Sequence, residues 1–544
     1  MPGNLTVDGL TGADVIGVNT NATGCGHVTL TNIDTIGFTG TLVTGSGTVE
    51  LDTLAWVADP TQLVLGPGTL KYTGTGETVP GLSLNAGASK AAILDVANDL
   101  TLESVLIGTS AFMKTGPGDL KMTGPGVFNL ANTYKGKGNM LGIGQYGDSP
   151  LDTAQYVTVA DGRLIIGEEG GGDEPYIVLP GCEVDIGGCT ASAANGRQET
   201  AGEFVMNSGT LVCNFLQPGY YNGSNGTYPE GGTLAKVTVN GGYLKVGNTF
   251  QIGYDNMQTH ALSTLVTMTG GVFEIGTMNF QSVPGNPACP PSTTWNQSGG
   301  VTTCTAFNGG NTAIGASTIK NNGAWGPGRM TLTNCTFAVY GTMNLKNGTD
   351  TEINVLADTV FEAGTINGEG SASSVIRFDG GLWCGFVKAT GGSDVKNLTH
   401  LYLTRRTVLD TSDNRGIDLP QRYYYYINQK VEADPDSTEE DIGLTVTGGG
   451  VAVFGTSTFN KSTLTGPIRA TGSTTLCGKT TSFNNSSVEV EPGCNLRQWD
   501  AGVTVVSNLT LGAVGATDPS LTRLQAQFPY HDSRTMTGSL SPRA

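Results

Sequence analysis

One pattern constrains this chain more than any other: an alternating apolar strand, a glycine turn and a second alternating strand, repeated as a unit. Phe204-Val-Met-Asn-Ser-Gly209-Thr-Leu-Val-Cys-Asn-Phe215 is one copy. Val237 to Phe250 turns at Gly242, Val266 to Phe280 at Gly271, and Trp295 to Phe307 at Gly300. A degenerate copy, Met330-Thr-Leu-Thr-Asn-Cys335-Thr-Phe-Ala-Val-Tyr-Gly, has cysteine in the turn. The turn residues 209, 242, 271, 300 and 335 lie 33, 29, 29 and 35 residues apart. Looser copies turn at Gly68, Gly126, Gly162, Gly450 and Gly493, so the repeat covers most of the chain. Alternation places every second side chain on one face. Gly-Gly, Ser-Gly and Pro-Gly supply the positive φ of a tight turn. One unit cannot close a core, whereas stacked units can.

Composition narrows the architecture. Glycine accounts for 82 of 544 residues, and charged residues for 14%. Glycine at this density opposes helix by about 1 kcal/mol per position. It does not recur at every third residue, which excludes collagen. The recurrent Val, Ile, Leu and Thr exclude disorder. A period of ~20–35 residues without helix suits a parallel β-helix coil; antiparallel hairpins building sandwiches are the alternative.

The Gly-Pro-Gly-Thr-Leu and Ser-Gly-Gly-Val units resemble the autotransporter-associated β-strand repeats of bacterial surface proteins. Lys114-Thr-Gly-Pro-Gly-Asp-Leu-Lys-Met-Thr-Gly124, followed by Ala131-Asn-Thr-Tyr134, carries the resemblance best. The resemblance implies an all-β, right-handed parallel β-helix, with irregular coils and loop insertions. The same coil architecture is similar to bacteriophage tail spikes and fibres. No C-terminal barrel of the autotransporter kind is recognisable.

The expected organisation is solenoid over 1–394, a loop-rich insertion over 395–443, further coils over 444–514, and a cap or subunit-contact tail over 515–544. The insertion holds Arg405, Arg406 and the run Tyr423, Tyr424, Tyr425 and Tyr426, then Glu432, Asp434, Asp436, Glu439, Glu440 and Asp441. In a solenoid, insertions become loops on one face, often the binding face. The tyrosines read as a strand with two rings inward and two outward. A ligand platform is the sharper reading, because Tyr offers large rigid contact area. Arg405, Arg406 and the four tyrosines are therefore the candidate binding residues.

Other signals are weaker. Gly167 to Pro175 puts four carboxylates on a turn, without the spacing of a calcium loop. Pro218 begins another expected loop. Ten cysteines form no Cys-x-x-Cys pair and read as small buried hydrophobes; Cys182 with Cys189, or Cys289 with Cys304, are the disulfide alternatives. Gly472 to Thr480 misses the phosphate-loop spacing by one. Glycan hydrolysis needs two placed carboxylates; Glu362 with Asp379, or Asp410 with Asp413 and Asp418, are conceivable sets. No catalytic residue, metal ligand or cofactor site is assigned.

The net charge of −18 makes nucleic acid and anionic lipid poor partners. No run of ~18 apolar residues marks a membrane helix, and the N-terminus lacks a secretory signal pattern. The expectation is a non-enzymatic structural or adhesive solenoid, partnered by further copies, by other surface or virion proteins, or by glycans. A phage tail spike, fibre or capsid decoration leads. A secreted or autotransporter-passenger-like surface protein is the alternative, and a polysaccharide-cleaving β-helix enzyme the second alternative.

Overall fold

A computed structural model of the chain describes residues 4–12, 15–18, 27–33, 37–85, 91–108, 111–123, 127–130, 156–159, 163–167, 169, 176–192, 196–200, 202–221, 233–252, 254–255, 262–280, 292–309, 328–345, 350–368, 373–385, 393–412, 424–455, 463–478, 483, 487–498, 508–511, 523–526 and 539–542. Over these residues the secondary structure is strand, bridge, turn and bend, with no helix. Strands pair in parallel with strands of the next coil, so the fold is a parallel β-solenoid. One hairpin departs from this: Tyr176–Ser192 pairs antiparallel with Gly196–Thr200. The chain divides into two compact units, residues 1–294 with 316–326, and residues 295–315 with 327–544.

The first unit shows how alternation becomes a core. Strands Glu203–Met206, Thr233–Val239 and Leu262–Met268 stack in one ladder. Strands Thr210–Tyr221, Tyr243–Gln251 and Val272–Asn279 stack in a second. Phe204, Val237 and Val266 fall in register and are fully buried, as are Leu244 and Phe273. Each such side chain contributes about 1.5–3 kcal/mol by leaving water. Between the ladders the turn glycines stack on one another. Gly242 and Gly271 take φ of 74° and 75°. Beside them an amide ladder climbs the coils: Asn240 Nδ2 donates to Asn207 Oδ1 at 2.9 Å, and Thr269 Oγ1 to Asn240 Oδ1 at 2.9 Å. The expected loop at Pro218 is corrected in part. Strand Thr210–Tyr221 runs through it, pairing Ile186 with Pro218 and Gly188 with Tyr220.

Among the described residues, the second unit carries three ladders. The first comprises Gly328–Leu332, Thr351–Leu356, Ser374–Asp379, His400–Leu403 and Glu432–Ala433. The second runs from Val301–Asn308 through Leu382–Gly385 and Leu444–Thr447 to Ser539–Pro542. The third holds Ser393–Lys396, Tyr424–Asn428, Val451–Phe454, Thr475–Gly478, Asn495–Gln498 and Arg523–Ala526. Inside, aromatic rings continue from coil to coil. Phe337 stacks on Phe361 at 6.2 Å, Phe378 on Trp383 at 5.2 Å, and Trp383 meets Tyr425 edge-on at 5.8 Å. Such pairs add about 0.5–1.5 kcal/mol to simple burial.

The turn between the first two ladders changes its residue but keeps its shape. Gly300 has φ of 70°. In the next coil Cys335 stands opposite Gly300, and the left-handed residue is one position earlier, Asn334 at φ 46°. Asp358 at 59° and Gly380 at 83° keep that earlier position in the following coils. Asn and Asp tolerate this region because their short side chains bond locally.

Cys213, Cys304, Cys335, Cys384, Cys477 and Cys494 are buried thiols outside any disulfide. The Cys289–Cys304 disulfide alternative therefore falls: Cys304 is a free thiol, 1% exposed, packed in the core as a small hydrophobe. The side chains of Cys182 and Cys189 lie outside the described residues. Burial pushes the Cys335 thiol up to about 11 and the Cys384 thiol up to about 12. An unfolded thiol ionises near ~8.5. Above that pH the unfolded chain binds fewer protons than the folded one, so stability falls as pH rises. The contribution is complete below ~8.5 and is lost progressively toward pH 11 to 12. Ellman's reagent at pH 8 is expected to leave these six thiols unmodified in the native protein and to titrate them after denaturation. Rapid native-state labelling of Cys335 or Cys384 would contradict their placement.

Candidate binding surface

Each candidate residue takes its position from the ladder it sits on. Arg405 and Arg406 form the turn between His400–Leu403 and Thr407–Asp410. Arg405 Nε bonds Asp379 Oδ1 at 2.6 Å, and Arg406 bonds Asp441 through Nη2 at 2.5 Å and Nε at 3.1 Å. Both carry exposed partners or are exposed themselves, so each pair contributes about 0–1 kcal/mol. Tyr423 lies outside the described residues. Tyr424 begins strand Tyr424–Asn428, and its side chain is likewise outside them.

Tyr425 is 1% exposed and belongs to the core. Its hydroxyl accepts a 3.2 Å hydrogen bond from Trp383 Nε1. A Cβ on Gly385 would lie 2.8 Å from its ring, so that glycine makes room for it. Burial drives the Tyr425 phenol far up from its ordinary value. Tyr425→Phe strands the indole N–H and is expected to cost about 1–2 kcal/mol, read as a lower denaturant midpoint. An unchanged midpoint would mean that Trp383 finds another acceptor. Tyr426 points the other way and packs on Val451, Val453 and Cys477. Tyr425 therefore presents nothing to a ligand, and it lies on the third ladder while the arginines sit in the turn between the first two.

The first ladder of the second unit carries a constellation that the sequence reading did not assemble. Parallel register aligns Arg329 with Glu352, and aligns Asn354, Arg377 and Tyr402 in one outward row that ends at the buried Glu432. Arg377 is its centre. It bonds Glu352 and Asn354 through Nη1 and Asp434 through Nε, the last at 2.6 Å, and its Cζ lies 5.5 Å from the Tyr402 ring centroid. Desolvation alone would lower the Arg377 pKa; the bonds to Asp434 and Glu352 outweigh it and raise it. The Asp434 side chain is only 4% exposed, so Arg377 faces a carboxylate largely cut off from water. His400 stacks on Tyr402 at 4.8 Å and 10°, and its Nδ1 lies 2.9 Å from Glu432 Oε2. Lys430 pairs with the same carboxylate. Burial first, then the charges of Glu432 and Asp434, push the Tyr402 phenol up.

The carboxylates considered for hydrolysis are distributed differently. Asp379 ends a first-ladder strand, held by Arg405 and by Thr404 Oγ1 at 2.7 Å. Glu362 stands on the second ladder, in register with Cys384, which in turn faces Asp410. Asp413 and Asp418 lie outside the described residues, as does most of Gly167 to Pro175. Among the described residues, no three His, Cys, Asp or Glu groups are placed to hold a metal ion. At Gly472, the phosphate-loop lookalike is a coil turn leading into Thr475–Gly478.

Part of the chain is similar to a curated protein, the Adhesin BmaC autotransporter of Brucella suis biovar 1 (strain 1330). Identity is 27% over 251 residues, covering 44% of this chain and 6% of that protein's length. No protein-family model matches the chain, and no solved structure matches it.

Proposed function

We propose that this chain is a length of non-enzymatic β-solenoid stem displayed at a bacterial surface, where it serves adhesion. The similarity to an autotransporter adhesin carries the reading, and it draws the passenger-like alternative ahead of the virion one. The parallel coils support it physically: stacked ladders extend in one dimension and hold side chains at fixed spacing over a long surface. We take the coil to be right-handed, since parallel strand crossovers are so in ≈ 98% of cases. The cell surface is the proposed location, and glycans or surface proteins are the proposed partners.

The test is adhesion. The purified chain, coupled to fluorescent beads, is expected to bring them onto host-cell monolayers, and excess free chain is expected to compete. Beads that bind no better than albumin-coated ones would remove the adhesive role. Detergent-resistant trimers that assemble onto tail structures would restore the virion reading instead.

A further inference from the structure

We propose that the outward strip on the first ladder of the second unit, centred on His400 and Tyr402, binds an uncharged, hydroxyl-rich glycan laid across the strands. This rests on the adhesive reading above and names the ligand class for one face.

Three features of the strip support it. First, its cations are all paired: Arg329, Arg377 and Lys430 are matched by Asp350, Glu352, Glu432 and Asp434, which leaves the strip slightly negative, and the chain as a whole carries −18. A strip without excess positive charge discriminates against polyanions, and the net negative charge of the chain repels them further. Second, it mixes aromatic surface with both donors and acceptors, which is what a ring bearing hydroxyl groups requires. The His400 side chain is 40% exposed. Among the described residues, neither the Tyr402 hydroxyl nor His400 Nε2 has a hydrogen-bond partner, so both stay available. A protein partner would instead want an apolar centre; Val375, in register with Glu352 and His400, is a single aliphatic side chain among charged and polar neighbours. Third, the row is periodic. Parallel register repeats its side chains about every 4.8 Å, so a linear polymer crossing the strands meets a new polar group at each coil. The ion pairs hold these groups in place before the ligand arrives, which lowers the ordering cost of binding.

The experiment is a printed array of neutral oligosaccharides ending in mannose, galactose, glucose or N-acetylhexosamine, beside sialylated and sulfated counterparts. It is probed with the wild-type chain, Tyr402→Ala, Tyr402→Phe and His400→Ala. Wild type is expected to bind at least one neutral class. Tyr402→Ala is expected to lose at least 5-fold in affinity, with His400→Ala showing a smaller loss. Tyr402→Phe keeps the ring should the alanine variant misfold, and is expected to lose part of the affinity with the hydroxyl. Binding confined to sialylated or sulfated glycans overturns the proposal, as does neutral-glycan binding that the folded Tyr402 variants leave unchanged. If the bead assay succeeds and every glycan fails, this inference falls alone. If the beads fail too, the adhesive reading falls with it.

Discussion

Arg377→Ala is expected to lower the stability of the second unit by about 2–4 kcal/mol. Removing one partner of a buried ion pair costs about 3–5 kcal/mol, because the other charge is left uncompensated. The lower range applies because the Arg377 side chain is itself 25% exposed, whereas that of Asp434 is 4% exposed. The damage should be local. Asp434 caps the end of the first ladder: its N–H bonds Leu403 O, its Oδ1 accepts from Asp436 N, and its carbonyl accepts from Ser437 N. Hydrogen exchange should therefore quicken first around residues 432–437. Two controls separate the cause. Arg405→Ala breaks only the exposed pair with Asp379 and is expected to change stability by less than about 0.5 kcal/mol. Arg377→Met with Asp434→Leu removes both charges and is expected to recover most of the loss. If Arg377→Ala is no worse than Arg405→Ala, the strip is not a structural clamp.

Gly271→Ala is the second large effect, at roughly 3 kcal/mol. Its φ of 75° alone costs an L-residue about 1–2 kcal/mol. A Cβ there would also lie 2.6 Å from Gly241 C and 2.6 Å from Gly242 O, the backbone of the coil beneath, which cannot give way like a side chain. Gly449 isolates the two terms. Its φ is also 75°, but a Cβ would meet only Gly472 O at 3.7 Å, an ordinary contact. Gly449→Ala should cost about 1–2 kcal/mol, the conformational part alone. Thermal unfolding of both variants decides the matter: equal losses would show that the turns do not stack closely.

These predictions mark what was legible in the chain and what was not. The turn glycines at 209, 242, 271 and 300 could be read directly, because positive φ needs glycine and the strands on either side alternate. The opposite facing of Tyr425 and Tyr426 also followed from a period of two. The degenerate turn was placed at Cys335, whereas the left-handed residue is Asn334. The sequence alone offers no way to see that shift, since it appears only against the neighbouring coil. The Arg377 strip was missed for a related reason. Its partners Glu352 and Asp434 lie 25 and 57 residues away, and coils of unequal length leave no fixed offset to search. Once the register is known, the row is a simple alignment of outward positions.

The move from Gly300 to Asn334 has a consequence for how such a chain changes over generations. A coil has two adjacent places at which it can take the left-handed bend, and Gly, Asn and Asp have each been used there. A mutation that spoils one place is repairable at its neighbour without disturbing the strands. That redundancy lets duplicated coils diverge in letter while keeping their shape, so an array of this kind can lengthen and diversify its exterior with little penalty to its interior.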